Sequence, residues 1–187
     1  MSSIVMKFGG TAVATSEKIE EVARRALKEQ AKGQNVVVVI SSMTSIRREL
    51  RQFAAEISDD PVKKEMDALL ATGAQMTSAL LAMAITEQGG KAVSLAGWQA
   101  GIITDSLHRN ARIEDVKSSR ILQHFERGEI VVIAGFQGID VHNNITTLGK
   151  GGSETTAVAV AAAIGAKHVD IYTNVEGIYT SDPSIVS

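Results

Sequence analysis

Two glycine-rich segments, each carrying a lysine, hold the residues best suited to chemistry. In Thr147–Ala157, Gly149, Gly151 and Gly152 surround Lys150 and precede small apolar residues that read as a buried helix. Ser153 stands where an N-cap is expected. Glycines let backbone approach a ligand, and a helix N-terminus offers N–H groups and partial positive charge. That construction suits an anion or a phosphate. The second segment, Lys7-Phe8-Gly9-Gly10-Thr11, ends a short apolar run. Together they suggest a nucleotide and a second anion held side by side.

The elements that must position these turns alternate between strand and helix. Ile4–Phe8, Val36–Ile40, Ala92–Leu95, Ile102–Thr104, Ile130–Ala134 and Val169–Thr173 read as strands, the β-branched Val36–Ile40 as one buried on both faces. Ile19, Val22, Ala23, Ala26 and Leu27 follow helical spacing, ended by Gly33. Pro61 suits the first turn of a long helical region over Val62–Glu87, which Thr72-Gly73 bends or splits. Val116–Arg127 and Ser153–Ile164 read as further helices, and Gly177–Tyr179 as the start of a hairpin. This order predicts one α/β domain over 1–187: a three-layer α/β/α sandwich around a mostly parallel sheet. Ligands in such folds bind at the carboxyl ends of strands. The segments starting at Lys7, Ser41, Gly135 and Thr173 should therefore meet at one edge.

Composition excludes several classes. The 187 residues include no cysteine, which rules out disulfides, thiol nucleophiles and cysteine metal sites. A net charge of −2 with 4% aromatics gives no basis for nucleic-acid binding. The start of the chain lacks signal-peptide character, and no apolar run appears long enough to span a bilayer. The expected location is cytoplasmic, with no membrane partner.

The ordered motifs resemble the aspartate kinase branch of the amino acid kinase family. They are Val5–Thr11, Val37–Ser41, Met66–Gly73, Gly97–Gly101, Gly135–Gly138, Thr146–Ala159 and Ile171–Pro183, and they run through the whole chain. The resemblance implies transfer of the ATP γ-phosphoryl group to the side-chain carboxylate of L-aspartate, a first step of lysine, threonine and methionine biosynthesis. Such transfer needs positioning and charge neutralisation more than covalent help. It implies that Lys7, Lys150 and Glu154 are catalytic. Lys7, Phe8, Gly9, Gly10, Ser41, Thr173, Asn174 and Tyr179 would hold ATP. Thr11, Arg47, Ala74, Lys150, Gly151, Gly152 and Ser153 would hold the acceptor. Mg²⁺ would bridge the phosphates without a dedicated protein metal site. The family commonly forms homodimers, and its catalytic domain continues past Asp182-Pro183, with ACT domains following.

The departures from the family pattern fall on the chemistry. Ala74 stands for a glutamate of substrate recognition, Lys150 for an arginine, Glu154 and Asn174 for aspartates, Arg47 for a hydroxyl residue, Thr44 for a glycine and Ser184 for a basic residue. Glu176 supplies a second acid near Asn174. These changes leave alternatives beside the aspartate kinase reading: a kinase for another small carboxylate, or a nucleotide-binding member or partner subunit without turnover; the expected continuation past Asp182-Pro183 adds a third, a truncated domain. Other residues read more simply. Lys150 and Glu154 could pair on the surface, and Asn174 could serve only its turn. Met76, Leu80 and Met83 share helical spacing and read as core, as does Trp98. His108, with Arg109 and Arg112, could reach a ligand but reads more simply as a solvated loop, His124 and His168 read as surface, and Glu56, Asp59 and Asp60 as a solvated helix end.

Overall fold

A computed structural model describes residues 2–173. Asn174, Glu176, Tyr179 and Ser184, with the expected hairpin at Gly177–Tyr179, lie outside the described residues.

Five strands form a wholly parallel sheet: β1 (Ser3–Phe8), β2 (Asn35–Ile40), β3 (Ala92–Leu95), β6 (Ile130–Ala134) and β9 (His168–Tyr172), ordered β3-β6-β2-β1-β9. Alternate side chains of these strands supply two cores. On one face Ile4, Met6, Val36, Val38 and Val132 pack against α1 (Ser16–Ala31) and α3 (Lys63–Glu87). On the other, Val5, Val37, Val39, Val131 and Ile133 pack against α4 (Ser119–Glu126) and α5 (Gly152–Ala163). This is the expected three-layer arrangement.

The helix α1 begins where Thr15 accepts a hydrogen bond from the Lys18 N–H. Its end is followed by Gly33 at φ 82°. The 25-residue α3 is continuous, so Thr72-Gly73 does not split it. Gly73 serves close packing instead: a Cβ there would lie 2.5 Å from Ser42 Oγ. Pro61 precedes the Val62 N-cap and is not part of the first turn.

By length and a mean hydropathy of 1.6 over its best window, α3 could cross a membrane, contrary to the reading of the sequence. Its burial of Asp67, Thr77 and Ser78, and its packing on α1, β3 and β6, make it a core helix. The Met76, Leu80 and Met83 stripe is nevertheless exposed, Met83 by 65%. Helical spacing places the three on one face, but α3 is apolar on more than one face, and the sheet takes another.

Two features were absent from the sequence reading. One is α2 (Thr44–Ile57), which packs on the outside of α3 and buries none of its residues fully. The other is a second, mixed sheet ordered β5-β4-β7-β8, built from β4 (Ile102–Thr104), β5 (Ile113–Val116), β7 (Gln137–Ile139) and β8 (Ile145–Thr147). Val116 ends β5 and does not start the following helix. His124 is also inside: it is 8% exposed, with Nδ1 2.6 Å from Glu129 Oε2. His168 is exposed and Trp98 half-buried.

Candidate functional site

The carboxyl ends of β1, β2 and β6 open into a cavity of about 590 Å³, walled also by α2, α3 and the start of α5. Lys7, the penultimate residue of β1, is 5% exposed, and its Nζ donates to Glu154 Oε1 at 2.5 Å. Parallel pairing fixes its height, with Lys7 opposite Val39 on β2 and Ile171 on β9. A buried ammonium needs an anion or several acceptors, and Glu154 supplies the anion. The pair joins the two glycine segments across 147 residues of chain. Glu154 thus pairs with Lys7, and a surface pair with Lys150 is not formed.

Close approach requires glycine at Gly10 and Gly152. A Cβ on Gly10 would collide with the Ser42 carbonyl oxygen, whereas one on Gly9 would make only an ordinary contact, 3.6 Å from Lys7 Nζ. A Cβ on Gly152 would lie 2.6 Å from Leu148 Cβ. Gly151 is the N-cap of α5 at φ 79°, so the helix starts earlier than expected and Ser153 sits in its first turn. Freed from capping, Ser153 Oγ accepts from Ser41 Oγ at 3.0 Å. The α5 N-terminus therefore faces the cavity with Gly152, Ser153 and Glu154, where helix polarity favours an anionic ligand.

Cations dominate the remaining lining. Lys150 lies on the glycine turn, and Arg47 and Arg51 lie one turn apart on α2. Arg109 comes from the loop between β4 and β5. Against these and Lys7, Glu154 is the one carboxylate among the described lining residues. Ala74 and Leu70 present an apolar strip from α3.

Phe8, Thr11 and Thr173 are not in this cavity. They line a neighbouring one of about 580 Å³ on the β9 side of β1, with Lys18, Glu21 and Arg25. There Phe8 stacks on Tyr172 with ring centroids 4.3 Å apart, and the Arg25 guanidinium lies over the Tyr172 ring at 5.5 Å. Burial raises the Tyr172 pKa above its ordinary value.

The sequence reading missed Asp67 and Arg51, and preferred a solvated loop to a ligand contact for Arg109. Asp67 on α3 is wholly buried. It accepts hydrogen bonds from Thr147 Oγ1 and from the Arg109 backbone N–H at 3.0 Å, and His108 Nδ1 lies 2.9 Å away. The loop from His108 is therefore pinned to α3 and is not freely solvated. The spacing of Ile46, Leu50, Ala54 and Ile57 carried a signal for α2, and with it the shared face of Arg47 and Arg51. No local signal marks Asp67, whose partners lie 41 or more residues away.

Comparison with known proteins agrees with this architecture. The amino acid kinase family model matches residues 2–187. The chain belongs to the amino acid kinase family. It is 54% identical over 186 residues to aspartokinase 2 of Bacillus subtilis, an alignment covering 100% of this chain and 46% of the relative. The aspartate kinase structure from Synechocystis matches with a TM-score of 0.84 at 42% identity, covering 99% of this chain and 30% of that one. Escherichia coli aspartokinase III, in its complex with lysine and aspartate, matches with a TM-score of 0.79 at 25% identity, over 98% of this chain and 52% of that one. The chain thus spans about half the length, or less, of the relatives it matches.

Proposed function

We propose that this family member transfers the γ-phosphoryl group of ATP to the side-chain carboxylate of aspartate, giving 4-phosphoaspartate and ADP. One observation carries the reading: Lys7, both glycine turns and the α5 N-terminus converge on one cavity, in a chain aligned throughout its length with an aspartokinase. The aspartate bound to the Escherichia coli relative supports the acceptor.

In this reading an aspartate carboxylate oxygen attacks the γ-phosphorus, and the bond to the β,γ-bridging oxygen breaks. Lys7 leaves or shares Glu154 to neutralise the transferring group, while the Gly9–Gly10 and Gly151–Gly152 backbones approach the phosphates. The α5 N-terminus and Lys150 add positive potential where charge builds up. Ser41 and Ser153 orient the same groups, and Thr173, with Asn174 and Tyr179, would line the nucleotide side. Arg47 and Ala74 line the main cavity and are assigned to acceptor binding, whereas Thr11 lies in the neighbouring cavity with Thr173, on the nucleotide side of this reading.

No cluster of three acidic or histidine side chains able to hold a metal occurs among the described residues. A single cavity carboxylate, Glu154, suits a magnesium ion that arrives on nucleotide phosphates. Bound there, it would supply further neutralisation of the phosphate charge.

The test is ADP release from Mg-ATP with and without aspartate, with hydroxylamine present to trap the acyl phosphate. Aspartate-dependent hydroxamate is expected, and Lys7→Ala should abolish it. Nucleotide binding without turnover would instead support a non-catalytic member, a reading that Ala74 favours because alanine offers no partner to an ammonium.

A further inference from the structure

Arg109 has a backbone conformation that its residue type disfavours. Its φ is 73°, in the left-handed region where a side chain meets steric opposition. Such a residue persists when its surroundings over-determine it, and it is a reason to look for function. Here the surroundings are explicit. The Arg109 N–H donates to the buried Asp67 carboxylate, and the loop is held again where the Ala111 N–H donates to the Thr147 carbonyl at 3.0 Å. Asn110 closes against the glycine turn, its Oδ1 occupying the space a Cβ on Gly149 would need. The consequence is that the Arg109 side chain, one-third exposed, lines the cavity. Its Nε lies 3.8 Å from Asp67 Oδ1. A guanidinium carries five N–H donors, so donors remain for a ligand after that contact.

Position within the sheet indicates which ligand. Thr173 lines the neighbouring cavity with Tyr172 of β9, whereas Arg109 comes from the β4–β5 loop of the second sheet and lines the cavity that holds Lys7. Lys7 and Glu154 line the cavity that Arg109 enters and not the one beside Thr173. If phosphoryl transfer occurs at Lys7, a nucleotide entering beside Thr173 leaves the Arg109 side for the acceptor. We propose that Arg109, positioned by Asp67, is a specificity-determining residue that binds the acceptor's non-reacting carboxylate. This rests on the kinase reading for the direction of entry, and on the cavity alone for the recognition of a carboxylate by a guanidinium.

The experiment is titration calorimetry on the full chain with aspartate, with β-alanine and with ATP, for wild type, Arg109→Gly and Arg109→Lys. β-Alanine keeps the carboxylate that would react and lacks the other. Arg109→Gly should weaken aspartate binding about ten- to a hundredfold, the loss of one charge-assisted hydrogen bond. It should leave β-alanine and ATP within about twofold. Arg109→Lys should recover part of the loss, keeping the charge without the planar fork. Because glycine tolerates the left-handed conformation, Arg109→Gly should melt no lower than wild type. Equal aspartate affinity in wild type and Arg109→Gly would overturn the proposal. A lowered melting midpoint with aspartate and ATP weakened alike would overturn it too, by making Arg109 structural. Wild type that binds aspartate but releases no ADP refutes the reaction, and the binding comparison still decides the arginine. Wild type that binds no dicarboxylate overturns the arginine assignment.

Discussion

Replacing Asp67 by alanine should be among the most damaging single changes outside the apolar core. The carboxylate is wholly buried and serves three donors from two distant segments: the Thr147 hydroxyl, the Arg109 N–H and His108. Alanine removes all three acceptances. Thr147 is itself fully buried, so its hydroxyl cannot turn to water. The His108 side chain is 19% exposed and can be rehydrated in part. Each donor left unsatisfied inside costs about 1–3 kcal/mol. Two such donors suggest a loss of about 2–5 kcal/mol, after the relief of no longer burying an anion. For a chain of this size, about 3 kcal/mol lowers the melting midpoint by roughly 6–12 °C. Urea unfolding should show a lower midpoint with an unchanged slope. A cycle with Thr147→Val should return a coupling of about 0.5–3 kcal/mol. An Asp67→Ala variant within about 0.5 kcal/mol of wild type, the range of ordinary surface changes, would refute the reasoning.

The two close-packed glycines should respond differently to alanine. At Gly10 the added methyl meets the Ser42 backbone, which cannot rotate away, so about 1–3 kcal/mol of stability and nucleotide binding should both be lost in urea and calorimetric assays. At Gly73 it meets the Ser42 hydroxyl at 2.5 Å and Leu50 at 3.2 Å, both side-chain atoms, while the helix gains about 1 kcal/mol from alanine. Gly73→Ala should therefore change stability by less than Gly10→Ala, and the reverse order in urea midpoints would be evidence against this packing. Asp140 is buried, which raises its pKa. The N–H and side-chain amide of Asn144, the Ser106 hydroxyl and the His142 N–H outweigh that and bring it from 3.8 down to about 2. A lowered folded-state pKa stabilises the native state above the unfolded value, and that contribution is lost as pH falls from 3.8 towards about 2. Asp140→Asn should be less stable than wild type at neutral pH, with the difference shrinking in acid unfolding over that window.

The layers of this protein and its two glycine turns were determined by local sequence. A run such as Val36–Ile40 can only be buried on both faces, and glycines beside a strand end or a small-residue helix are needed where backbone must pack closely or meet a ligand. The direction of each apolar stripe was not local information. Met76, Leu80 and Met83 have the spacing of a core face, yet the sheet chose another face of α3, because that helix offers apolar residues on several sides. The second sheet was invisible for a related reason: three of its strands are only three residues long, and β4 is joined to β7 by pairing across more than thirty residues of chain. The site divides in the same way. Lys7 and the glycine turns could be read because their chemistry is written in adjacent residues. The Lys7–Glu154 pair, the shared Ser41–Ser153 contact and the hold of Asp67 on Arg109 join segments 42 to 147 residues apart. Such contacts exist only once the sheet has fixed the distance between strand ends, so only the tertiary structure could decide them.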